Sequence, residues 1–400
     1  MRFRILQTVI FYTIFVHCSL LYAQNEYNRT AVSGNVYFKN DSTPVYSAHI
    51  LLKNTMFGTS SNADGQFILH IKSKNLLDTL VISFIGYKDF TIKVTEALKS
   101  PINVYLEENP LLLSSVLVTA LTGKEIIKKA IENIDENYPK KNNFYDVYYK
   151  DIYQVGTKHS RFQEVSADVV SKGLFIDIHG KRDFQIFLKG KKTNFHSDTT
   201  FLESNGIYLL FGAHWARSFL FKKNLKKYKF TIEGITSYQG YEAYKLLVET
   251  TFKDAVAYLY ITTKNYALVS VDYFYENPNK RMTNNKNEWS WLKYRFYLDF
   301  YENNSKWHIR SINDYRKTIE SDNRIHESNR TLRVLNVQTG KNKSEKKNQI
   351  GYEADLYNYP MTYNPEFWKN YNAPPETEEE KRIKAELIEQ GAVLLKSNED

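Results

Sequence analysis

Apolar and polar residues alternate with period two along most of this chain, the signature of strands with one buried face. Val32, Gly34, Val36 and Phe38 alternate first, then Ala48, Ile50 and Leu52 after a turn around Pro44. Gly58-Thr59 leads into the turn Asn62-Ala63-Asp64-Gly65, where the Asp-Gly pair tolerates positive φ, and Phe67, Leu69 and Ile71 resume the pattern. Leu80, Ile82 and Phe84 up to Gly86-Tyr87, then Phe90, Ile92, Val94, Val104 and Leu106, complete the set. About seven short strands in about 75 residues predict a small β-sandwich over residues 31–107.

The rhythm then changes period. Thr122 and Glu125 have the spacing of a capping box, and Ile126, Ile127, Ala130, Ile131 and Ile134 mark one face of a helix that Asn137-Tyr138-Pro139 ends. Such an apolar face must pack on something, and the large β region that follows is the nearest candidate. There, runs at 230–235, 241–249, 255–262, 266–275, 294–301 and 307–315 are separated by polar turns such as Tyr238-Gln239-Gly240 and Glu302-Asn303-Asn304-Ser305. A meander of antiparallel hairpins over 141–345 is expected. Residues 206–221 break it with an apolar stretch, expected as a core helix or a lid, followed by Lys222, Lys223, Lys226, Lys227 and Lys229. Residues 346–400 are expected to wrap back over the sheet through Tyr357, Tyr359, Tyr363, Phe367, Trp368 and Tyr371, then form a helix capped by Thr377 and Glu380 and ended by Gly391. The fold class is therefore mainly β: a small sandwich, a connector of residues 108–140, a larger antiparallel sheet or half-barrel, and a C-terminal helix.

The N-terminal strings Gly34-Asn35-Val36, Pro44 with Ala48, Gly58-Thr59, Asn62-Ala63-Asp64-Gly65-Gln66-Phe67 and Ser83-Phe84-Ile85-Gly86-Tyr87, with the tail Val116-Leu117-Val118-Thr119-Ala120, resemble the carboxypeptidase-regulatory-like domain. That resemblance implies a transthyretin-like sandwich of the kind found in exported Bacteroidota proteins, and no peptidase, because it is to an accessory domain. The phrases Ala257-Tyr258-Leu259-Tyr260-Ile261 and Leu268-Val269-Ser270-Val271 are similar to half-barrel sheets of the lipoprotein-carrier type. The string 364–372 resembles the closing motif of exported Bacteroidota proteins of the same plan.

Compartment follows from the first 23 residues. Met1-Arg2-Phe3-Arg4 is a positive start, residues 5–16 are apolar, and Leu21-Tyr22-Ala23 ends in the small residue that signal peptidase requires. A cleaved signal peptide is expected, hence an exported protein of the periplasm or outer membrane. Cys18, the single cysteine, leaves with it, so disulfides and cysteine metal ligands are not expected. Net charge is +9, or +7 once Arg2 and Arg4 are gone, which suits a solvated protein near anionic surfaces. In an exported protein nucleic acid is not an expected partner.

Chemistry is sparse. None of the nine histidines has the Glu spacing of a zinc carboxypeptidase, and there is no Gly-x-Ser-x-Gly elbow and no phosphate loop. No catalytic residue, metal or cofactor is therefore assigned. His49 and His70, on the polar face of their strands, are expected to be solvated. Four tryptophans are the candidate binding residues: Trp215 in the apolar stretch, Trp289 and Trp291 at i and i+2 on one strand as a sugar-stacking platform would need, and Trp368 in the aromatic wrap. The expected function is non-enzymatic binding or assembly in the cell envelope, with the sandwich as docking module and the large sheet as the site for an envelope protein or an apolar or glycan ligand. Contact with a membrane surface is a further expectation, from the lysines after 221. The alternatives are a hydrolase acting on envelope glycan or peptide through carboxylates, and a membrane β-barrel with a plug domain.

Overall fold

A computed structural model describes residues 29–109, 121–172, 184–196, 206–207, 219–220, 222–250, 254–276, 289–320, 323–339, 348–351, 354, 356, 359–361 and 363–391. The signal-peptide region and Trp215 lie outside them.

The N-terminal strands are β1 (Arg29–Phe38), β2 (His49–Leu52), β3 (Gly58–Ser60), β4 (Gln66–Lys72), β5 (Thr79–Ser83), β6 (Phe90–Lys93) and β7 (Ile102–Leu106). They form two sheets, ordered β4-β1-β7 and β3-β2-β5-β6. Between the sheets lie Val32, Val36, Ile50, Phe67, Leu69, Leu80, Ile82 and Val104, all nearly inaccessible to water. This is the sandwich that the alternation predicts. The pairing of β1 with β7 is parallel, which alternation alone does not reveal, and a Cβ at Gly34 would stand 2.1 Å from the Ile102 carbonyl oxygen there. Gly65 takes φ of +77°, as its turn requires.

The second part is one eleven-stranded antiparallel sheet. Its strands are β8 (Asn143–Val155), β9 (Lys158–Ser171), β10 (Phe184–His196), β11 (Lys229–Tyr238), β12 (Tyr241–Glu249), β13 (Ala255–Thr262), β14 (Leu268–Glu276), β15 (Trp289–Asn303), β16 (Lys306–Glu320), β17 (Ile325–Thr339) and β18 (Gln349–Ile350). They lie in the order β11-β12-β13-β14-β15-β16-β17-β8-β9-β10-β18, so β8 pairs with the late strand β17 as well as with its neighbour β9. Gln239 and Gly240, and Asn304 and Ser305, have positive φ, the backbone of tight hairpin turns.

The capping box at Thr122 forms, with the side chain and backbone of Glu125 both engaged, and opens the helix Gly123–Glu132. Ile126, Ile127 and Ala130 are buried in the core of the large sheet, so the connector helix covers what we call the inner face. Ile207, Phe219 and Leu220 of the apolar stretch join the same core. The opposite, outer face carries two things: the sandwich over β15, β16 and β17, and the C-terminal segment over β8, β9 and β10. The second capping box, at Thr377 and Glu380, opens the helix Glu378–Glu389, and Gly391 follows its end with φ of +79°. Among the described residues no helix is long and apolar enough to cross a membrane.

Candidate functional site

The sandwich meets the outer face through buried polar groups. His49 is 2% exposed and its Nε2 lies 2.9 Å from Asp299 Oδ2, a close polar contact whose angle falls outside hydrogen-bond geometry. This corrects the expectation of a solvated His49: its strand face is polar because it meets a second sheet. Ser311 Oγ donates to Asp299 Oδ1 at 2.7 Å. Burial pushes the Asp299 carboxyl up, and His49, Ser311 and Arg333 outweigh that and hold it below its ordinary value. Arg310 donates to the carbonyls of Met56 (3.1 Å) and Thr59 (2.8 Å), and Arg333 to Ser60 Oγ (3.1 Å), Tyr46 Oη (3.1 Å) and Asn313 Oδ1 (2.7 Å). Ser, His and Asp are thus close together, but Asp299 stands between the other two. The nucleophile-to-histidine hydrogen bond of a catalytic triad is missing, and the group is a clamp.

The C-terminal segment is fixed to both partners. Asn372 Oδ1 accepts from the His70 backbone N–H at 2.7 Å, its Nδ2 donates to the His70 carbonyl at 3.4 Å, and its own carbonyl accepts from Thr59 Oγ1 at 2.8 Å. Asn62 closes its turn by accepting from the N–H groups of Asp64 and Gln66, and its Nδ2 donates to the Pro375 carbonyl at 3.1 Å. Asp64 accepts from the Glu378 N–H at 3.3 Å, at the start of the last helix. Lys384 bridges Glu164 of the sheet (3.1 Å) and Glu376 (2.9 Å), while Lys150 pairs with Glu380.

Where sandwich, sheet and this strap converge there is a cleft of about 600 Å³. Leu52, Thr55 and Phe57 at the β2–β3 turn line one side with Lys72, Lys74 and Asn75; Asp146, Lys189, Leu335, Asn336 and Gln338 form the floor, and Glu366, Phe367, Asn370, Tyr371 and Asn372 the far wall. Two bulges build the floor. Register shifts between Leu188 and Gly190 and between Val334 and Asn336 insert one extra residue each, so that Lys189 and Leu335 join Gly190 and Asn336 on the outer face. Lys189 Nζ then sits 2.6 Å from Asp146 and 3.0 Å from Asp168, which are direct cross-strand partners. Burial works against its charge, and the two carboxylates outweigh that and raise its pKa. Tyr371 Oη donates to Asp146 Oδ1 at 2.7 Å; burial, then Asp146, pushes its phenol well above the ordinary value, so it acts as a donor. Sequence reasoning misses this site, because its residues come from three separate segments and its floor depends on bulges. The polar insertions Lys72 to Asn75 and Glu366 to Asn372 are signals visible only after the fold is known.

The two candidate tryptophans with described side chains, Trp291 and Trp368, lie on opposite faces of the sheet. Trp368 is buried against Tyr148 and Leu335 behind the strap, with its indole N–H donating to the Lys191 carbonyl at 3.1 Å. Trp291 lies on the inner face, 5.2 Å from Tyr294 ring to ring, with the Arg316 guanidinium 5.7 Å from each ring. Trp289 occupies the first position of β15, with its side chain outside the described residues. Beside Trp291 the inner face ends in ion pairs, Asp151 with Arg161 (2.8 Å) and Asp314 with Arg316 (2.6 Å) and Arg330 (3.4 Å). Among the described residues no group of three or more His, Cys, Asp or Glu could hold a metal ion.

Residues 32–118 match the CarboxypepD_reg-like domain, so the sandwich is a domain of that kind. No curated protein matches the chain in sequence. Among solved structures, a LolA superfamily protein from Nitrosomonas europaea is 12% identical, with 57% of this chain and 99% of that one covered and a TM-score of 0.22. A DUF1329 family protein from Desulfovibrio piger is 8% identical, with 53% and 91% covered and a TM-score of 0.22. At these scores neither adds to the account of the cleft.

Proposed function

We propose that the chain is an exported, non-catalytic binding protein of the cell envelope, in which sandwich, sheet and strap together hold a ligand in the junction cleft. The observation that carries this is the cleft itself: three distant segments contribute its walls, and buried hydrogen bonds from Arg310 to the Met56 carbonyl and from Trp368 to the Lys191 carbonyl fix two of them. The signal-like first 23 residues support export. The volume lies within the range of about 300–1,000 Å³ usual for ligand pockets, and the lining mixes aromatic faces with amides and a few charges. Hydrolysis of glycan by two carboxyl groups needs one held protonated and one ionised on either side of the bond broken. Here Asp146 and Asp168 are cross-strand neighbours tied to one ammonium, that of Lys189, and only Asp146 lines the cleft, so they do not flank a bond from opposite sides; this supports binding over chemistry.

The test is cosedimentation with purified cell envelope. The intact chain should pellet with it, whereas Asn336→Trp, which fills the floor of the cleft, should stay in the supernatant with an unchanged circular dichroism spectrum. Equal pelleting of both proteins would refute the cleft as the site, and release of soluble glycan or peptide by the intact chain would show a hydrolase instead.

A further inference from the structure

β4 is the edge of its sheet, with β1 on one side only. In an antiparallel pair, residues alternate between pointing both backbone groups at the partner strand and pointing both away. His70 points both away, because its N–H and carbonyl are taken by the Asn372 side chain. Lys72, two residues on and opposite Arg29 as His70 is opposite Ala31, has the same outward orientation. Asn372 therefore imitates one rung of an added strand at His70, and the next rung, at Lys72, opens on the cleft that Lys72 lines.

The surroundings of that rung have a sign. Lys72 and Lys74 stand together on this wall, and neither has an ion pair among the described residues. Across the cleft, Asp146 is already engaged by Lys189 and Tyr371. Phe57 and Phe367 offer apolar surface in the same cleft. A strand added to an edge draws affinity from main-chain hydrogen bonds and specificity from pockets for alternate side chains. We propose that the open end of β4 at Lys72 receives a short extended peptide segment, acidic where it passes Lys72 and Lys74 and apolar at the alternate positions. This rests on the reading of the cleft as a binding site and names what occupies it.

The probe is a fluorescent, acetylated and amidated hexapeptide alternating glutamate and valine, compared with its lysine–valine counterpart, on the full chain. Lys72 has φ of −76°, within the range of proline. Lys72→Pro thus removes the outward N–H without forcing the backbone, and proline is tolerated where an edge strand's N–H faces outward. The full chain should bind the glutamate peptide and prefer it to the lysine peptide by about tenfold or more, a step of about 1.4 kcal/mol. Lys72→Pro should lose that binding, while the double variant Lys72→Gln, Lys74→Gln should keep part of it and lose the preference for acid. Equal binding of both peptides, or undiminished binding by Lys72→Pro, would overturn the proposal. If soluble envelope glycan releases the chain from pelleted envelope and neither peptide binds, the peptide assignment fails while the cleft stands. Failure of the intact chain to pellet at all would instead sink the binding reading beneath it.

Discussion

Single side chains in this protein join parts that are hundreds of residues apart. Asn372 satisfies both backbone groups of His70, and its removal leaves a donor and an acceptor without their partner. Asn372→Ala should therefore lower stability by about 1–3 kcal/mol in urea unfolding. Asp299 is 2% exposed and faces His49. Removing this buried carboxylate leaves the Ser311 hydroxyl without its acceptor, a loss of about 1–3 kcal/mol, so Asp299→Ala should be clearly destabilising. A double-mutant cycle with His49→Ala should recover part of that loss; simple additivity would show that the two do not interact. His308 sets a pH dependence. Burial pushes its imidazole down from 6.5 to about 4, so folding keeps it neutral while the unfolded chain takes up a proton. The stability it contributes is complete above pH 6.5 and is lost as pH falls towards 4, an effect of roughly 3 kcal/mol for a shift of that size. His308→Gln, which retains an acceptor for Tyr145, should flatten the stability curve across that window.

At the scale of elements, the strap is held by a few aromatic anchors. Trp368 fills the space between Tyr148 and Leu335, and Phe367 stacks on Tyr371 at 5.0 Å. Trp368→Ala should cost about 3–5 kcal/mol and release hydrogen-exchange protection first in residues 363–372. Much of the element pattern is legible in the sequence, for plain reasons. Period-two alternation marks β1, β4 and β11 to β14, because each buries one face, and both capping boxes announce helix starts through the Thr-to-Glu spacing. What alternation cannot say is what covers a polar face. His49 lies opposite the core of its own sandwich and is polar, yet Asp299 and Tyr238 enclose it. The bulges at Lys189 and Leu335 are equally hidden, since a bulge is a relation between two strands and the pairing of β8 with β17 spans most of the domain. The cleft was illegible for that reason, although the aromatic wrap beside it was expected from its tyrosines and its tryptophan.

On the scale of the whole molecule, the sandwich is part of one folded body with the sheet. Leu51 and Met56 pack into the core of the large sheet, and Arg310, buried and pulled down by desolvation to about 10, remains charged at neutral pH while donating to sandwich carbonyls. Calorimetry should accordingly show sandwich and sheet unfolding in one transition; two separated transitions would mean that the interface adds little. The cleft exists only in this joined state, because residues 52–57, 72–75 and 366–372 reach it from three directions. Hydrogen exchange of the full chain with and without purified envelope material tests this most directly. Slowed exchange on binding should be confined to residues 52–57, 72–75, 335–338 and 366–372. Protection that falls instead on the far strands β11 to β13, with these four segments unchanged, would contradict it.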